Sequence, residues 1–144
     1  KFENRTDLAR PLALLQAEAL KAAGCLGDVD ALVPVPSGRG ERRSRGYDVP
    51  LMLARALGRE LGLPVMQALC KIRETPRQMA LSGGERRKNL KNAFSARPDA
   101  PLEGKRILLV DDVLTTGSTL NECAKALRAA GAAECRGVCA AATR

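Results

Sequence analysis

Between Thr6 and Gly24, Leu8, Leu12, Leu15, Ala19 and Leu20 recur at helical spacing within an alanine-rich stretch, which predicts an amphipathic helix ended by Gly24. Ala31-Leu32-Val33-Pro34-Val35-Pro36 is instead a short continuous apolar run entering a Gly- and Arg-rich stretch. That suits a buried parallel strand running into a loop. Pro34 weighs against a central place for it, because proline offers no ladder donor. Asp48 caps a second helix that Pro50 helps initiate, with Leu51, Ala54, Leu57 and Leu61 as its apolar face and a break at Gly62 to Pro64.

Val65 to about Lys71 reads as a second strand. Residues 72 to 92 then carry few apolar side chains, many charges and the turn-like Ser82-Gly83-Gly84. This predicts a long mobile loop, with a short helix near Glu85 to Leu90, and loops of that length are uncommon without a task. Arg106-Ile107-Leu108-Leu109-Val110 has the continuous apolar character of a central parallel strand. Ser118 to Ala130 has helical spacing before Gly131, and Glu134 to Ala142 forms a weaker last strand. The alternation of strand and helix predicts an α/β fold with an open, mainly parallel sheet in one domain over residues 1–144.

Composition narrows the chemistry. The chain has 144 residues, 45% hydrophobic and 28% charged, which suits a globular domain and not a disordered chain. No apolar run approaches the roughly 20 residues of a spanning helix, and no export pattern is visible, so a cytoplasmic protein without membrane insertion is expected. A net charge of +8 favours phosphate-rich partners. Phe2, Tyr47 and Phe94 are the whole aromatic complement, too few for the stacking platforms of single-strand binders. The absence of histidine removes the usual general base and the commonest zinc ligand. The five cysteines include no C-x-x-C pair and read as free thiols of a reducing compartment.

The richest segment is Ile107-Leu108-Leu109-Val110-Asp111-Asp112-Val113-Leu114-Thr115-Thr116-Gly117-Ser118-Thr119. A buried strand delivers two carboxylates to its carboxyl end, and a hydroxyl-rich turn then opens a helix whose unpaired N–H groups can hold a phosphate. Gly117 permits close approach to the anion. Paired acids repel phosphate but accept hydrogen bonds from sugar hydroxyls, so a phosphorylated ribose fits better than a bare anion. The segment is neither a Walker A loop nor a G-x-G-x-x-G turn.

This block resembles the motif by which type I phosphoribosyltransferases bind phosphoribosyl diphosphate (PRPP). The likeness extends to the ComF family of competence proteins. Val33-Pro34-Val35-Pro36, Arg45-Gly46-Tyr47, Arg73-x-Thr75-Pro76-x-Gln78, Leu81, Glu85-Arg86-Arg87-x-Asn89 and Ala93-Phe94 resemble its signatures in order. Asp48-Val49 departs from the family's usual Asn-Gln. The resemblance implies a type I phosphoribosyltransferase fold whose flexible loop lies within residues 71 to 91. Asp111 and Asp112 would hold ribose hydroxyls, and Thr115, Thr116, Gly117, Ser118 and Thr119 the 5′-phosphate, with Val113 also within the PRPP-binding stretch. Mg2+ would arrive with the diphosphate. Many members also carry a small N-terminal zinc-binding cysteine cluster, which this sequence lacks; Lys1-Phe2 resembles the start of the segment that follows it.

The basic segments fit the same picture. Ser37, Gly38, Arg39 and Arg45 are candidates for diphosphate contact, because a turn with cations and N–H donors suits that anion. Lys71, Arg73, Arg77, Arg86, Arg87, Lys88 and Lys91 outnumber Glu74 and Glu85. Arg73 and Arg86 are the candidates for stabilising charge during transfer. Two functions follow as expectations. One is a Mg2+-dependent pentosyltransferase acting on PRPP or ribose 5-phosphate chemistry with an unidentified acceptor. The other is a non-catalytic or DNA-binding component of DNA uptake in natural transformation, meeting single-stranded DNA and the uptake machinery. A PRPP-sensing regulator is weaker, since no DNA-reading motif accompanies the domain.

Overall fold

The structure is a computed structural model and is described for residues 8–38, 40, 43–44, 46–73 and 90–143. Helix α1 spans Ala9–Ala22, strand β1 Ala31–Pro34, helix α2 Val49–Leu61 and strand β2 Leu69–Lys71. Strand β3 follows at Phe94–Ala96, β4 at Arg106–Leu114, helix α3 at Ser118–Ala129 and β5 at Glu134–Ala142. Strands β1, β4 and β5 form a parallel sheet in the order β1-β4-β5, and β2 pairs with β3 in a separate antiparallel ribbon.

β4 is central because its apolar run serves two cores. Ile107 and Leu109 face a cluster with Val33, Leu69, Phe94, Cys123 and Leu127, whereas Leu108 and Val110 face one with Leu32, Leu53, Leu57, Ala13 and Ala17. Successive side chains of a strand point to opposite faces, so a run buried on both faces must be apolar throughout. Those four side chains are 0–1% exposed, each worth roughly 1.5–3 kcal/mol of apolar burial. Helices α1 and α2 cover one face, while α3 and the β2–β3 ribbon cover the other.

Proline in β1 is accommodated by direction. Leu32 donates its N–H to Pro64 O, and Val35 donates to Val110 O. Alternation therefore aims the Pro34 nitrogen away from β4, where no ladder donor is required.

Three expectations are corrected. The run expected as a strand from Val65 to Lys71 splits into a single parallel bridge, Leu32↔Val65, and the antiparallel β2. Strand β3 was not visible in the sequence pattern, since it holds only Phe94–Ala96. On α1 the buried side is Ala13, Gln16 and Ala17, with the expected Leu12 and Leu20 packed against the same core, while Leu15 is 64% and Leu8 41% exposed. Small side chains let this helix lie close to its neighbours, and that contact outweighs the leucine stripe. The second helix follows its signals closely. The Asp48 carboxylate accepts the Leu51 N–H at 3.3 Å, Pro50 stands in the first turn, and Gly62 ends the helix at φ 67°.

At the amino-terminal ends of the two strands, Asp30 fastens β1 to β4. Its Oδ2 accepts the Arg106 backbone N–H at 2.7 Å and Nε–H at 3.3 Å, and these bonds, the backbone one foremost, hold its carboxyl below the ordinary value of 3.8. A depressed carboxyl pKa stabilises the fold above the unfolded value and loses that contribution as pH falls through the folded value. Melting curves of the Asp30→Asn variant should therefore show a lower Tm at neutral pH and a shallower loss of Tm from pH 3.8 downward than the parent. Gln16 is buried, and among the described residues neither its Nε2 nor its Oε1 has a partner. Gln16→Leu should raise thermal stability by about 1–2 kcal/mol, because an unpaired buried polar group carries a penalty of that order.

Candidate functional site

The pairing of Pro34 with Val110 brings the carboxyl ends of two neighbouring parallel strands to one edge. Ligands of open α/β sheets collect at this edge. From it emerge two segments, Val35 to Gly38 after β1 and Asp111 to Gly117 at the end of β4.

Beyond Val110, β4 continues as a strand supported by β5, through Asp111↔Cys139 to Leu114↔Ala142. Asp111 Oδ1 accepts the Asp112 N–H and Asp112 Oδ1 accepts the Val113 N–H, each at 2.9 Å. Asp111 is buried, 8% exposed. Asp112 is half-buried, and Val113, Thr115 and Thr116 are exposed. Gly117 caps α3 at φ 72°, a left-handed conformation that a side chain resists. The Thr116 and Ser118 hydroxyls lie 2.8 Å apart, and the Ser118 N–H points to Thr116 Oγ1 at 3.4 Å. Hydroxyls and first-turn amides thus share one concave turn at the positive end of a helix.

Beside it, Ser37 donates its hydroxyl to Asp48 Oδ1 at 3.1 Å, the same oxygen that caps α2. A cavity of about 230 Å³ opens here, lined by Val35 and Ser37, by Asp48 and Leu51, and by Gln67, Lys71 and Arg97 among others.

Two of the thiols are poorly suited to chemistry. Burial raises the Cys123 thiol far above its ordinary range. Burial, reinforced by Asp111 and Asp112, lifts that of Cys139 to about 11, so neither is a thiolate at neutral pH. Cys25, Cys70, Cys123, Cys135 and Cys139 form no disulfide. Among the described residues no group of three or more His, Cys, Asp or Glu side chains is gathered as a metal cage, and no helix is long and apolar enough to cross a membrane.

Residues 50–144 match the sequence profile of the family described as the phosphoribosyl transferase domain. The chain belongs to that family. As a phosphoribosyl transferase domain it is 39% identical over 141 residues to competence protein F of Haemophilus influenzae, covering 93% of this chain and 61% of that protein. It is 38% identical over 137 residues to the DNA utilization protein YhgH of Escherichia coli K12, covering 92% and 60%. The domain spans about 60% of the length of these curated relatives. Among solved structures, the glutamine PRPP amidotransferase of B. subtilis, complexed with ADP and GMP, is similar at a TM-score of 0.58 and 25% identity, over 95% of this chain and 26% of that one. A purine phosphoribosyltransferase from Pyrococcus horikoshii shares the fold at a TM-score of 0.51 and 22% identity, over 90% and 68%. The expected type I phosphoribosyltransferase fold is thereby established.

In this phosphoribosyl transferase domain the structure brings Asp111, Asp112, Val113, Thr115, Thr116, Gly117, Ser118 and Thr119 together at one strand end, with Ser37 and Gly38 on the neighbouring segment. Arg73 stands apart at the end of the β2 ribbon, donating Nη2–H to Lys91 O at 2.9 Å. Arg39, Arg45 and Arg86 lie outside the described residues. Sequence reasoning missed Gln67 and Arg97 and gave Lys71 no place of its own. The Ser37–Asp48 contact also had no signal, because a capping aspartate looks the same whether or not it holds a distant serine. Gly117→Ala should cost about 1–2 kcal/mol through backbone strain, read as a lower melting temperature.

Proposed function

We propose that this domain binds PRPP across the edge where β1 and β4 end, and transfers its phosphoribosyl group to an acceptor. One observation carries the reading: the acidic strand end and the hydroxyl turn of α3 stand beside the Val35–Gly38 segment, because Pro34 and Val110 are in register. The α3 turn takes the 5′-phosphate on Thr115, Thr116, Ser118 and Thr119 and their amides. Asp112, the more open acid, accepts the ribose hydroxyls, while Asp111 orients it by holding its backbone N–H. Ser37 and Gly38 meet the diphosphate, joined by Arg39 and Arg45.

In the reaction the bond between the anomeric carbon and the diphosphate oxygen breaks, its electron pair leaves with the diphosphate, and the acceptor's lone pair closes on that carbon. Orientation and charge stabilisation suffice, so neither histidine nor thiolate is required. Arg73 and Arg86 supply positive charge towards the leaving group. The donor set fits Mg2+, since carboxylates and hydroxyls are hard oxygen ligands, and this ion keeps waters and substrate phosphates in its shell. Bound with the diphosphate, it would neutralise the leaving charge. Free cysteines suit a cytoplasmic setting.

A second reading rests on the +8 charge and on relatives named for competence and DNA utilization. In it the domain binds single-stranded DNA during uptake, and its affinity falls steeply with salt. Calorimetry with ribose 5-phosphate decides the first reading: the parent protein binds, and Asp112→Asn and Thr116→Val each weaken binding about tenfold. Pyrophosphate release from PRPP across an acceptor panel then reports turnover. Absence of ribose 5-phosphate binding overturns the reading.

A further inference from the structure

We propose that Glu122, at the start of the second turn of α3, is a positioning residue for Arg73, holding that cation through the Lys91–Asn92 peptide against the helix whose first turn receives the 5′-phosphate. The assignment rests on the PRPP reading and adds to it a residue outside the motif. Both polar atoms of one peptide are taken by charged side chains. Its N–H, on Asn92, donates to Glu122 Oε2 at 3.1 Å, and its carbonyl, on Lys91, accepts the Arg73 Nη2–H at 2.9 Å. A single planar unit thus joins α3 to the end of the β2–β3 ribbon, through hydrogen bonds of the stronger, charge-assisted kind.

The backbone there is in a state that its surroundings must select. Ala93 donates its N–H to Leu90 O at 3.0 Å, closing a four-residue turn whose third residue, Asn92, has φ 56°. Among the described residues Asn92 is the sole non-glycine at positive φ. Lys91 before it keeps a negative φ, and of the defined turns that combination belongs to type II. Types I and II differ by roughly 150–170° in the dihedrals on either side of their central peptide, so its N–H and C=O exchange sides. Lys91–Asn92 is that peptide. Glu122 and Arg73 together select the orientation in which the N–H faces α3 and the carbonyl faces the cation.

The Glu122 carboxylate has a fixed aim. Its side chain is 13% exposed, and Oε1 accepts Lys125 Nζ–H at 2.6 Å while Oε2 takes the amide. The Lys125 bond foremost, and with it the Asn92 amide, holds the carboxyl below its ordinary value of 4.5, so it is charged at neutral pH. Glu122 also stands four residues after Ser118 and three after Thr119, on the helix face that carries the hydroxyl turn. Cys123 and Leu127 seat this helix in the same core as Phe94, two residues past Asn92. Without Glu122 the turn relaxes towards type I, which needs no positive φ, and the Lys91 carbonyl swings away from Arg73.

The test uses the whole chain and separates the placement of Arg73 from phosphate binding. In calorimetry with PRPP and Mg2+, Glu122→Ala and Arg73→Gln should each weaken binding about tenfold. The double variant should be no weaker than Arg73→Gln alone, because the two act through one contact. Glu122→Gln keeps an acceptor oxygen and should stay near the parent, and ribose 5-phosphate affinity should be the same in all of them. Unchanged PRPP affinity in Glu122→Ala, or additive losses in the double variant, overturns the assignment. So does an equal loss of ribose 5-phosphate, which would make Glu122 a structural support of α3. Failure of the parent protein to bind ribose 5-phosphate counts against the PRPP reading instead. The clamp is then read from amide hydrogen exchange, where Asn92 exchanging no faster in Glu122→Ala than in the parent overturns it.

Discussion

The parallel, in-register pairing of β1 with β4 is the constraint on which the site depends. Four consecutive pairs, from Ala31↔Ile107 to Pro34↔Val110, align the two strands so that β1 ends beside Val110, one residue before Asp111, while β4 runs on against β5 to Leu114. A slip of one residue would turn every side chain to the opposite face, exchanging the two cores that Leu108 and Leu109 separate. Burial of that run on both faces therefore fixes the position of Asp111 and Asp112 relative to Ser37. At the opposite edge, the Asp30 carboxylate on the Arg106 amide holds the same register from below.

Function at this edge is a matter of separating charges. A chain with 24 basic and 16 acidic residues keeps two of its acids at the strand end, where one is buried and both accept backbone amides. Amides and hydroxyls, not side-chain cations, make up the α3 turn, which suits a monophosphate held beside neutral sugar hydroxyls. Lys71 and Arg97 line a cavity on the far flank of β1, to which Ser37 also contributes. Burial raises the Cys123 and Cys139 thiols and the sequence has no histidine, so the proposed transfer rests on orientation and electrostatics.

Local signals were accurate where a segment determines its own shape. The Asp48 cap, Pro50 and Gly62 delimit α2 because capping is settled within a few residues. Gly117 and the hydroxyls around it define the opening of α3 for the same reason. Helix α1 is the contrary case. Its leucine spacing marked a face, but the contact side was settled by Ala13 and Ala17, whose small size allows close approach to neighbours far along the chain.

The amino-acid order by itself determined the strand, turn and helix of the β4–α3 unit, the helix ends and the chemistry of the hydroxyl turn, since each depends on residues within one or two turns of chain. Only the tertiary structure decided that β1 lies beside β4, that Val65 to Lys71 divides between two sheets, and that Lys71 and Arg97 line one cavity with Ser37. Those are contacts between residues 23 or more positions apart. They arise from the shared burial of apolar faces, which no short stretch of sequence specifies.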